Sequence, residues 1–473
     1  MQITNCTNTK NSALHVPPLL PIPTPQQLAW QEAELIMFIH FGMNTFYDVE
    51  WGDGTEDPAR FNPSELDAGQ WARVARETGF KTIILTAKHH DGFCLWPSQT
   101  TEHSVKNSPW KNGKGDVVRE LADACGESGI KLGLYLSPWD RHEPTYGDSP
   151  LYNQFYRNQL TELMTGYGEI AEVWFDGACG EGPNGRQQVY DWPGYRAIVR
   201  KYQPDAVMFS DAGPDVRWIG NEHGFAGHAC WSMIDRQQIS IGQADTEYLN
   251  RGDKHGKDWV PGECDVSIRK GWFWHPDQQP KSVEQLIDIY FKSVGRNGVL
   301  LLNVPANDKG LLPEADVKRL YEFKAALDEI FKLNLVAGKK AKASNVRGES
   351  SDFAPQHALD GNPRTFWATE DSITSGWIEL DLNGLVPFNI SRVEENIALG
   401  QRVQTYRIEA WDGSQWQTIA CGTTIGHKKL DRFETVKASK VRLVIETSRA
   451  CPTIREVGLY WAPQIKYDVQ PSG

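Results

Sequence analysis

The 473-residue sequence lacks the spacings that mark a metal site, a nucleotide site or a disulfide framework. It has no Cys-x-x-Cys pair, and its eight cysteines are scattered: Cys6, Cys94, Cys125, Cys179, Cys230, Cys264, Cys421 and Cys451. Neither a His-x-His or His-Glu-x-x-His pattern nor a P-loop or Gly-x-Ser-x-Gly elbow is present. Zinc, nucleotide and serine-hydrolase chemistry therefore have no support, and we expect no cofactor for catalysis.

Positive charge and long apolar runs are also scarce. The 49 basic side chains are outnumbered by 61 acidic ones, which gives a formal net charge of −12. That balance argues against nucleic acid or an anionic membrane as the main partner. No apolar stretch approaches the roughly 20 residues that cross a bilayer, so we expect no transmembrane segment. Residues 1–25 lack a signal-peptide pattern, which leaves the compartment open; a periplasmic or secreted location is favoured only if a signal was removed ahead of them. The sequence leaves the oligomeric state open as well.

The abundant feature is an alternation of apolar runs and amphipathic helical segments. It begins near residue 30, where LIMFIHFG is followed by SELDAGQWARVARETG. Repeated this often, the alternation predicts a TIM-like (β/α)8 barrel over residues 28–335, preceded by an N-terminal extension over residues 1–27. The sixth and seventh strands cannot be placed cleanly between residues 220 and 270.

After residue 336 the pattern changes to short strands separated by turn signals, such as GWIELDLNG and SKVRLVIETS. This pattern predicts an all-β sandwich, a jelly roll, over residues 336–473. Two domains also agree with the length of the chain, which exceeds one ordinary core. The 18 tryptophans suggest a carbohydrate ligand, since indole planes commonly hold sugar rings; burial in the two cores is the alternative.

Polar side chains recur where the predicted barrel strands end. In chain order they are His40, Lys88, His89, His90, Asp91, Tyr135, Trp139, Asp176 and Asp211. In such barrels the carboxyl ends of the strands converge on one mouth, where the chemistry takes place. We therefore expect these side chains to form a site, although any one of them alone would be read as a structural group.

Two of these residues, His89 and His90, are neighbours in sequence. On a regular strand they would point to opposite faces, so they could chelate one ion only if the strand bent. Hydrogen bonding to hydroxyl groups is the better use, because neutral imidazole both donates and accepts.

Paired carboxylates remain as the candidate catalytic machinery. Asp176 follows the apolar run EVWF and precedes Gly177, which either forms a simple Asp-Gly turn or leaves room for a sugar ring beside the backbone. Glu222, in RWIGNEHGFAG, is the first candidate for its partner, and Glu263 is the next.

These segments carry a resemblance to a known family. FIHFG, AKHHDGFCLW, LGLYLSPWD, EVWFDG and NVPANDKG together resemble glycoside hydrolase family 29, the retaining α-L-fucosidases, over most of residues 28–335. WIGNEHG and PGECDVSIRKGWFWH resemble its second subfamily, which prefers α-1,3- and α-1,4-linked fucose on branched glycans. HALDGNPRTFWAT and TIREVGLY resemble discoidin-type, galactose-binding-like sandwiches.

The resemblance implies a role for each group. Asp176 would be the nucleophile and Glu222 the acid/base, with Glu263 as its fallback; we expect partial burial of Glu222 to keep it protonated. The substrate-binding set would be His40, Glu50, Trp51, His89, His90, Tyr135, Trp174, Asp265, Trp272 and Trp274. Within it, Trp272 or Trp274 would face the fucose methyl group, Asp265 would meet the leaving sugar, and a core role is the alternative for Trp174. The partners would be fucosylated oligosaccharides or glycoconjugates.

Two other functions remain open at this point. A barrel glycosidase for a different sugar would keep both carboxylates and change the residues that bind hydroxyl groups. A non-catalytic fucose-binding protein would bind without turnover, but the presence of both Asp176 and Glu222 counts against it.

The discoidin resemblance also implies a structural Ca²⁺ in the loop LDGNPRTFW. Its oxygen ligands would come from Asp360, Asn362, Thr365 and Glu456. The alternative is an Asx-type turn in which Asp360 caps its own backbone without a metal.

Overall fold

The computed structural model describes residues 15–243 and 245–463. Its first part is a closed barrel of eight parallel strands. The strands of this part are β1 (Leu35–Ile39), β2 (Thr82–Lys88), β3 (Lys131–Leu136), β4 (Glu172–Trp174), β5 (Val207–Ser210), β6 (Val216–Trp218), β7 (Met233–Ile234), β8 (Asp258–Trp259), β9 (Gly262–Ser267) and β10 (Val299–Asn303). The spatial order in the barrel is β1-β10-β9-β6-β5-β4-β3-β2, and β7 and β8 form a short antiparallel pair outside it. The predicted barrel is confirmed.

Helices accompany the barrel strands along the chain. They are α1 (Pro25–Ala33), α2 (Met43–Tyr47), α3 (Ala68–Glu77), α4 (Val117–Ser128), α5 (Ser149–Gly166), α6 (Trp192–Tyr202), α7 (Thr246–Arg251), α8 (Val283–Lys292) and α9 (Glu314–Ile330). The first starts at a capping box, in which the Thr24 hydroxyl and the Gln27 side chain each accept a backbone N–H. Within the described residues, no helix is long and apolar enough to cross a bilayer.

The barrel departs from regular alternation between β5 and β9. Strand β6 has only three residues and follows β5 without a helix between them. Residues 219–261, called the excursion below, then leave the barrel and carry β7, α7 and β8 before β9 returns to it. This explains why two strands could not be placed from the sequence: one is too short to show a pattern, and the other comes after a long irregular segment.

The second part is an antiparallel sandwich, as predicted. Its strands are β11 (Ala341–Ala343), β12 (Trp367–Ala368), β13 (Gly376–Glu395), β14 (Val403–Trp411), β15 (Trp416–Thr423), β16 (Lys429–Ser448) and β17 (Thr453–Tyr460). Strands β13 and β16 run the length of the domain and pair with each other through register shifts, so each contributes to more than one part of the sheet. A separate apolar core, with Trp367 and Tyr406 fully buried, lies inside.

Polar contacts join the sandwich to the excursion. The backbone N–H of Cys230 donates to the Thr424 hydroxyl at 3.1 Å, and that of Ser232 donates to Gln401 Oε1 at 2.8 Å. From the sandwich, Ile397 packs in one apolar cluster with Trp231 and Met233. The excursion is therefore braced from outside the barrel.

Candidate active site

Asp176 lies two residues beyond the end of β4, at the mouth of the barrel. A quarter of its side chain (25%) is exposed. The Tyr135 hydroxyl donates to its Oδ2 at 3.0 Å, and the Ala178 backbone N–H donates to its Oδ1 at 2.7 Å. Burial raises the pKa of Asp176, and the two donors act in the opposite direction. The result is an accessible carboxylate with a fixed orientation.

A second carboxylate, Asp211, lies too close to position 177 for any side chain there, so this residue must be glycine. A Cβ at this position would lie 2.5 Å from Asp211 Oδ2, which also accepts the Gly242 backbone N–H at 2.7 Å. Burial is the main cause of the raised pKa of Asp211, and the charge of Asp176 adds to it. The space that a side chain at this position would fill is therefore taken by Asp211.

His89 and His90 lie side by side. Their ring centroids are 4.1 Å apart, because β2 has a register shift between Thr86 and Lys88 and ends at Lys88. The expectation of opposite faces on a regular strand is thus corrected by a bend. Lys88 itself turns away and forms a buried ion pair with Asp140 at 2.9 Å.

The hydrogen-bond partners of the three site histidines define their tautomers. His40 Nδ1 donates to Asn303 Oδ1 at 2.8 Å, because the Asn303 amide nitrogen is already donating to Ser267 and Trp272. His90 Nδ1 donates to the Ser137 hydroxyl, whose own hydrogen goes to the Trp139 carbonyl. These bonds leave Nε2 of both His40 and His90 as acceptors.

His89 has the opposite tautomer. The Asn44 amide donates to its Nδ1 at 3.2 Å, since Asn44 Oδ1 accepts the Gly52 N–H, so His89 Nε2 carries the hydrogen. Burial lowers the pKa of His40 and of His90 to about 3, and it lowers the pKa of His89 well below its usual value. All three rings are neutral at pH 7 and together offer one donor and two acceptors.

Glu222 lies in the first loop of the excursion and is exposed, which corrects the expected partial burial. The Trp272 indole N–H donates to its Oε2 at 3.2 Å. The Trp272 ring also lies 5.1 Å from the His40 ring, between centroids. The structure therefore brings Glu222, Trp272 and His40 together at one side of the mouth.

Glu50 binds the chain segment that carries Trp272. Its carboxylate accepts the backbone N–H groups of Trp272 at 2.8 Å and Phe273 at 3.3 Å, and it contacts His275 Nε2 at 2.6 Å. Phe273, which sequence reasoning missed, is fully buried and packs edge-on against His40 and His89. Trp274, which lies between Phe273 and His275 in sequence, is half-buried.

Trp51 forms the open edge of the mouth. It is 62% exposed, and its ring lies edge-on to His90 at 6.1 Å and to Trp139 at 5.9 Å. Arg141 lies over the Trp139 ring at 5.5 Å. This exposed aromatic surface adjoins the histidines on the side of His90.

Glu263 and Trp174 lie inside the barrel, below the mouth. The Trp174 indole donates to Glu263 Oε1 at 2.7 Å, and the Trp174 ring stacks on Phe209 at 4.0 Å. Glu263 is fully buried against Glu172, whose Oε2 accepts the Trp30 indole N–H. Burial raises the pKa of both carboxyls, that of Glu172 to about 7, and the charge of Glu172 raises the pKa of Glu263 further. Glu263 has no free approach to a substrate.

Asp265 is the next inward-facing residue on β9 and is also buried. The Trp218 indole N–H donates to its Oδ1 at 2.9 Å. Burial, followed by the charge of Glu222, raises its pKa well above the usual value. Asp265 therefore lies close enough to Glu222 to interact with it electrostatically.

The predicted calcium loop forms a hydrogen-bonded turn. The Asp360 carboxylate accepts from the Asn362 backbone N–H at 2.8 Å, from the Thr365 hydroxyl at 2.8 Å and 3.0 Å, and from His357 Nδ1 at 3.0 Å. Glu456 pairs with Arg392 at 3.1 Å. Burial raises the pKa of Glu456 to about 6, with a smaller contribution from the charge of Asp360. In the described part of the chain, no group of three or more His, Cys, Asp or Glu side chains is arranged to hold a metal ion.

Comparison with known proteins finds a matching family for each of the two domains. The sequence model of the α-L-fucosidase family matches residues 40–328, and that of the F5/8 type C domain matches residues 340–457. Alpha-L-fucosidase 1 of Arabidopsis thaliana is 49% identical over 450 residues, which cover 94% of this chain and 88% of the plant protein.

Solved structures are similar over the whole fold. The crystal structure of SpGH29 is 42% identical with a TM-score of 0.91, covering 95% of this chain and 100% of that one. A Ruminococcus gnavus GH29 fucosidase in complex with fucose is 36% identical with a TM-score of 0.89, covering 96% of this chain and 98% of that one. The chain therefore belongs to the α-L-fucosidases of glycoside hydrolase family 29, and its second domain is of the F5/8 type C kind.

Proposed function

We propose that this α-L-fucosidase is a retaining exo-enzyme that removes terminal α-1,3- or α-1,4-linked L-fucose from branched glycans. Its substrates would be fucosylated oligosaccharides or glycoconjugates. The observation that carries the proposal is the environment of Asp176: an accessible carboxylate at the end of β4, oriented by Tyr135 and Ala178 and lying beside neutral histidines.

In the first step, Asp176 attacks the anomeric carbon as the glycosidic C–O bond breaks. Glu222 donates its proton to the leaving oxygen, and a covalent fucosyl-enzyme forms. In the second step, Glu222 takes a proton from water, which displaces Asp176 and releases fucose. The burial that raises the pKa of Asp176 also removes water from its carboxylate, which favours attack.

The tautomers suggest how the sugar hydroxyls bind. A hydroxyl group that donates to His40 Nε2 or His90 Nε2 can accept from His89 Nε2. Because none of the three rings is charged at neutral pH, the set suits a neutral sugar. The Trp272 ring lies beside His40, which supports a contact of the indole with an apolar face of that sugar.

The linkage preference is supported by a contact between two loops. The segments WIGNEHG and GWFWH, on which the subfamily resemblance rests, meet through the bond from Trp272 to Glu222. Because Glu222 is the proposed proton donor, both loops would border the leaving sugar. We keep Glu222 and not Glu263 as the acid/base, because Glu263 is enclosed beneath Trp174.

Two measurements test this proposal. Proton NMR during early turnover should show the α-anomer of fucose first, because two inversions retain configuration; β-fucose as the first product would exclude a retaining mechanism. Lewis-type trisaccharides should be cleaved faster than α-1,2- or α-1,6-linked fucosides. A reversed order would remove the linkage assignment and leave the fucosidase activity intact.

We also propose a structural Ca²⁺ at the Asp360 turn. The charge of Asp360 contributes to the raised pKa of Glu456, so the two carboxylates repel each other. A cation between them would relieve that repulsion. The closed Asx-type turn is the competing account, because the carboxylate of Asp360 already accepts several hydrogen bonds within the loop.

A further inference from the structure

His275 lies between two carboxylates at the edge of the site. Its Nδ1 is 2.6 Å from Asp48 Oδ1, and its Nε2 is 2.6 Å from Glu50 Oε1. A carboxylate can only accept a hydrogen bond, so both bonds form only when both ring nitrogens carry hydrogen. His275 is therefore a charged imidazolium in this arrangement.

The bridge fixes the segment 271–275, called the tryptophan turn below. Glu50 accepts the backbone N–H groups of Trp272 and Phe273 with the same carboxylate that meets His275. The packing is close, since a Cβ at Gly271 would lie 2.2 Å from Glu50 Oε1. Asp48, Glu50 and the tryptophan turn therefore form one connected unit.

Two side chains of the tryptophan turn contact residues of the site. Trp272 donates to Glu222, and Phe273 packs against His40 and His89. Within the described residues, this indole donor is the only hydrogen bond to the Glu222 carboxylate that the structure shows. The location of that carboxylate thus depends on the turn.

We propose that His275, as an imidazolium bridging Asp48 and Glu50, is a positioning residue that holds the tryptophan turn and so places Trp272 against Glu222. The inference rests on the proposed role of Glu222 as the acid/base. His275 itself does not touch the reacting atoms.

The charges around His275 support a switch at a pH above the ordinary pKa of histidine. Burial disfavours its charge, but the bonds to Asp48 and Glu50 outweigh burial and raise the pKa of His275. Arg269 approaches the backbone of the same residue, where its Nη1 donates to the His275 carbonyl at 3.4 Å. Loss of the proton would set a ring lone pair against a carboxylate oxygen and loosen the turn.

The experiment compares His275→Gln with wild type on an unactivated fucoside across pH. Glutamine can donate to one carboxylate only and does not titrate. We expect kcat/KM to fall about tenfold at pH values where His275 is charged, which corresponds to one lost charge-assisted bond. The ratio of wild type to variant should then approach one as pH rises through the His275 pKa. A ratio that does not change with pH would overturn the proposal.

Two further variants keep the test decisive if His275→Gln folds poorly. Asp48→Asn removes one carboxylate at a side chain that is 63% exposed, and asparagine tolerates the left-handed backbone there (φ 55°). This variant should lose kcat/KM at a lower pH than wild type does, and the NMR titration of the His275 ring nitrogens should shift to lower pH with it. An unmoved titration would count against the bridge. His255→Gln, at an exposed histidine on the excursion, should leave both curves unchanged.

A leaving-group series separates this inference from the assignment of Glu222. If His275 acts through the acid/base, His275→Gln should slow poor leaving groups more than activated aryl fucosides. Glu222→Ala is measured in parallel. A leaving-group effect in Glu222→Ala but not in His275→Gln refutes the positioning role alone, and no such effect in Glu222→Ala refutes the acid/base assignment.

Discussion

The mouth and the interior of the barrel hold the same kinds of side chain in opposite states. At the mouth, Asp176 is partly exposed and is bonded to two donors that stabilise its charge. In the interior, Glu172 and Glu263 are sealed together, each with one indole donor, and burial favours their protonated forms. Glu172 and Glu263 lie near the starts of β4 and β9, whereas Asp176 follows the end of β4. A carboxylate near a barrel strand is thus insufficient to identify a catalytic group; its depth in the barrel decides.

The strongest test of that contrast is Asp176→Ala. We expect kcat to fall by about 10³-fold or more while the protein stays folded, because only the attacking group is removed. Added azide should yield β-fucosyl azide from an aryl fucoside without restoring hydrolysis. Asp352→Ala, at an exposed position of the sandwich, is the matched control. Retention of more than about a tenth of wild-type activity would refute the nucleophile assignment.

Glu222→Ala and Glu263→Gln compare the two candidate acids directly. Glu222→Ala should slow poor leaving groups by about 10²-fold or more and aryl fucosides far less, because only the former need a proton. Glu263→Gln keeps the acceptor for Trp174 and should show similar losses on both substrates. If the leaving-group effect appeared in Glu263→Gln and not in Glu222→Ala, the acid/base role would move to Glu263.

Glu172→Gln should change stability more than activity. The folded-state pKa of Glu172, about 7, lies above its usual value of 4.5, so its contribution to stability is complete below pH 4.5 and is lost as pH rises through 7. The variant should therefore match wild type near the acid end of this window and melt at a higher temperature above it. The buried histidines destabilise both proteins equally at low pH and cancel in the difference. A difference in melting temperature between variant and wild type that stays constant across this pH window would contradict the titration of Glu172.

The smallest effect is expected far from both regions, at the Asp360 turn. About 1 mM Ca²⁺ should raise the melting temperature of the full-length protein and EDTA should lower it, because the ion would bind only the folded state. Asp360→Asn should abolish the response. Turnover should be unchanged, since Asp176 and Glu222 do not need this ion. A melting curve that ignores EDTA would leave the Asx-type turn as the account.

The sequence was sufficient where a pattern is local. Alternating strands and helices indicated the barrel, and polar residues after apolar runs indicated His40, Tyr135 and Asp176. It was insufficient where partners are distant along the chain. His275 acquires its role from Asp48 and Glu50, more than 200 positions earlier, through bonds that span 227 and 225 residues. The burial of Glu263 also depends on Trp30 and Glu172, which no spacing rule connects to it.

The bracing of the excursion by the sandwich limits how this enzyme could be re-engineered. The loop that carries Glu222 begins a segment whose later residues, Cys230 and Ser232, are bonded to Thr424 and Gln401. Grafting a different C-terminal module onto this barrel, or transplanting this one elsewhere, would discard those bonds unless the matching residues moved with it. The two domains are thus not interchangeable cassettes, and successful chimeras should be those whose crossover point keeps the excursion and the sandwich from the same parent.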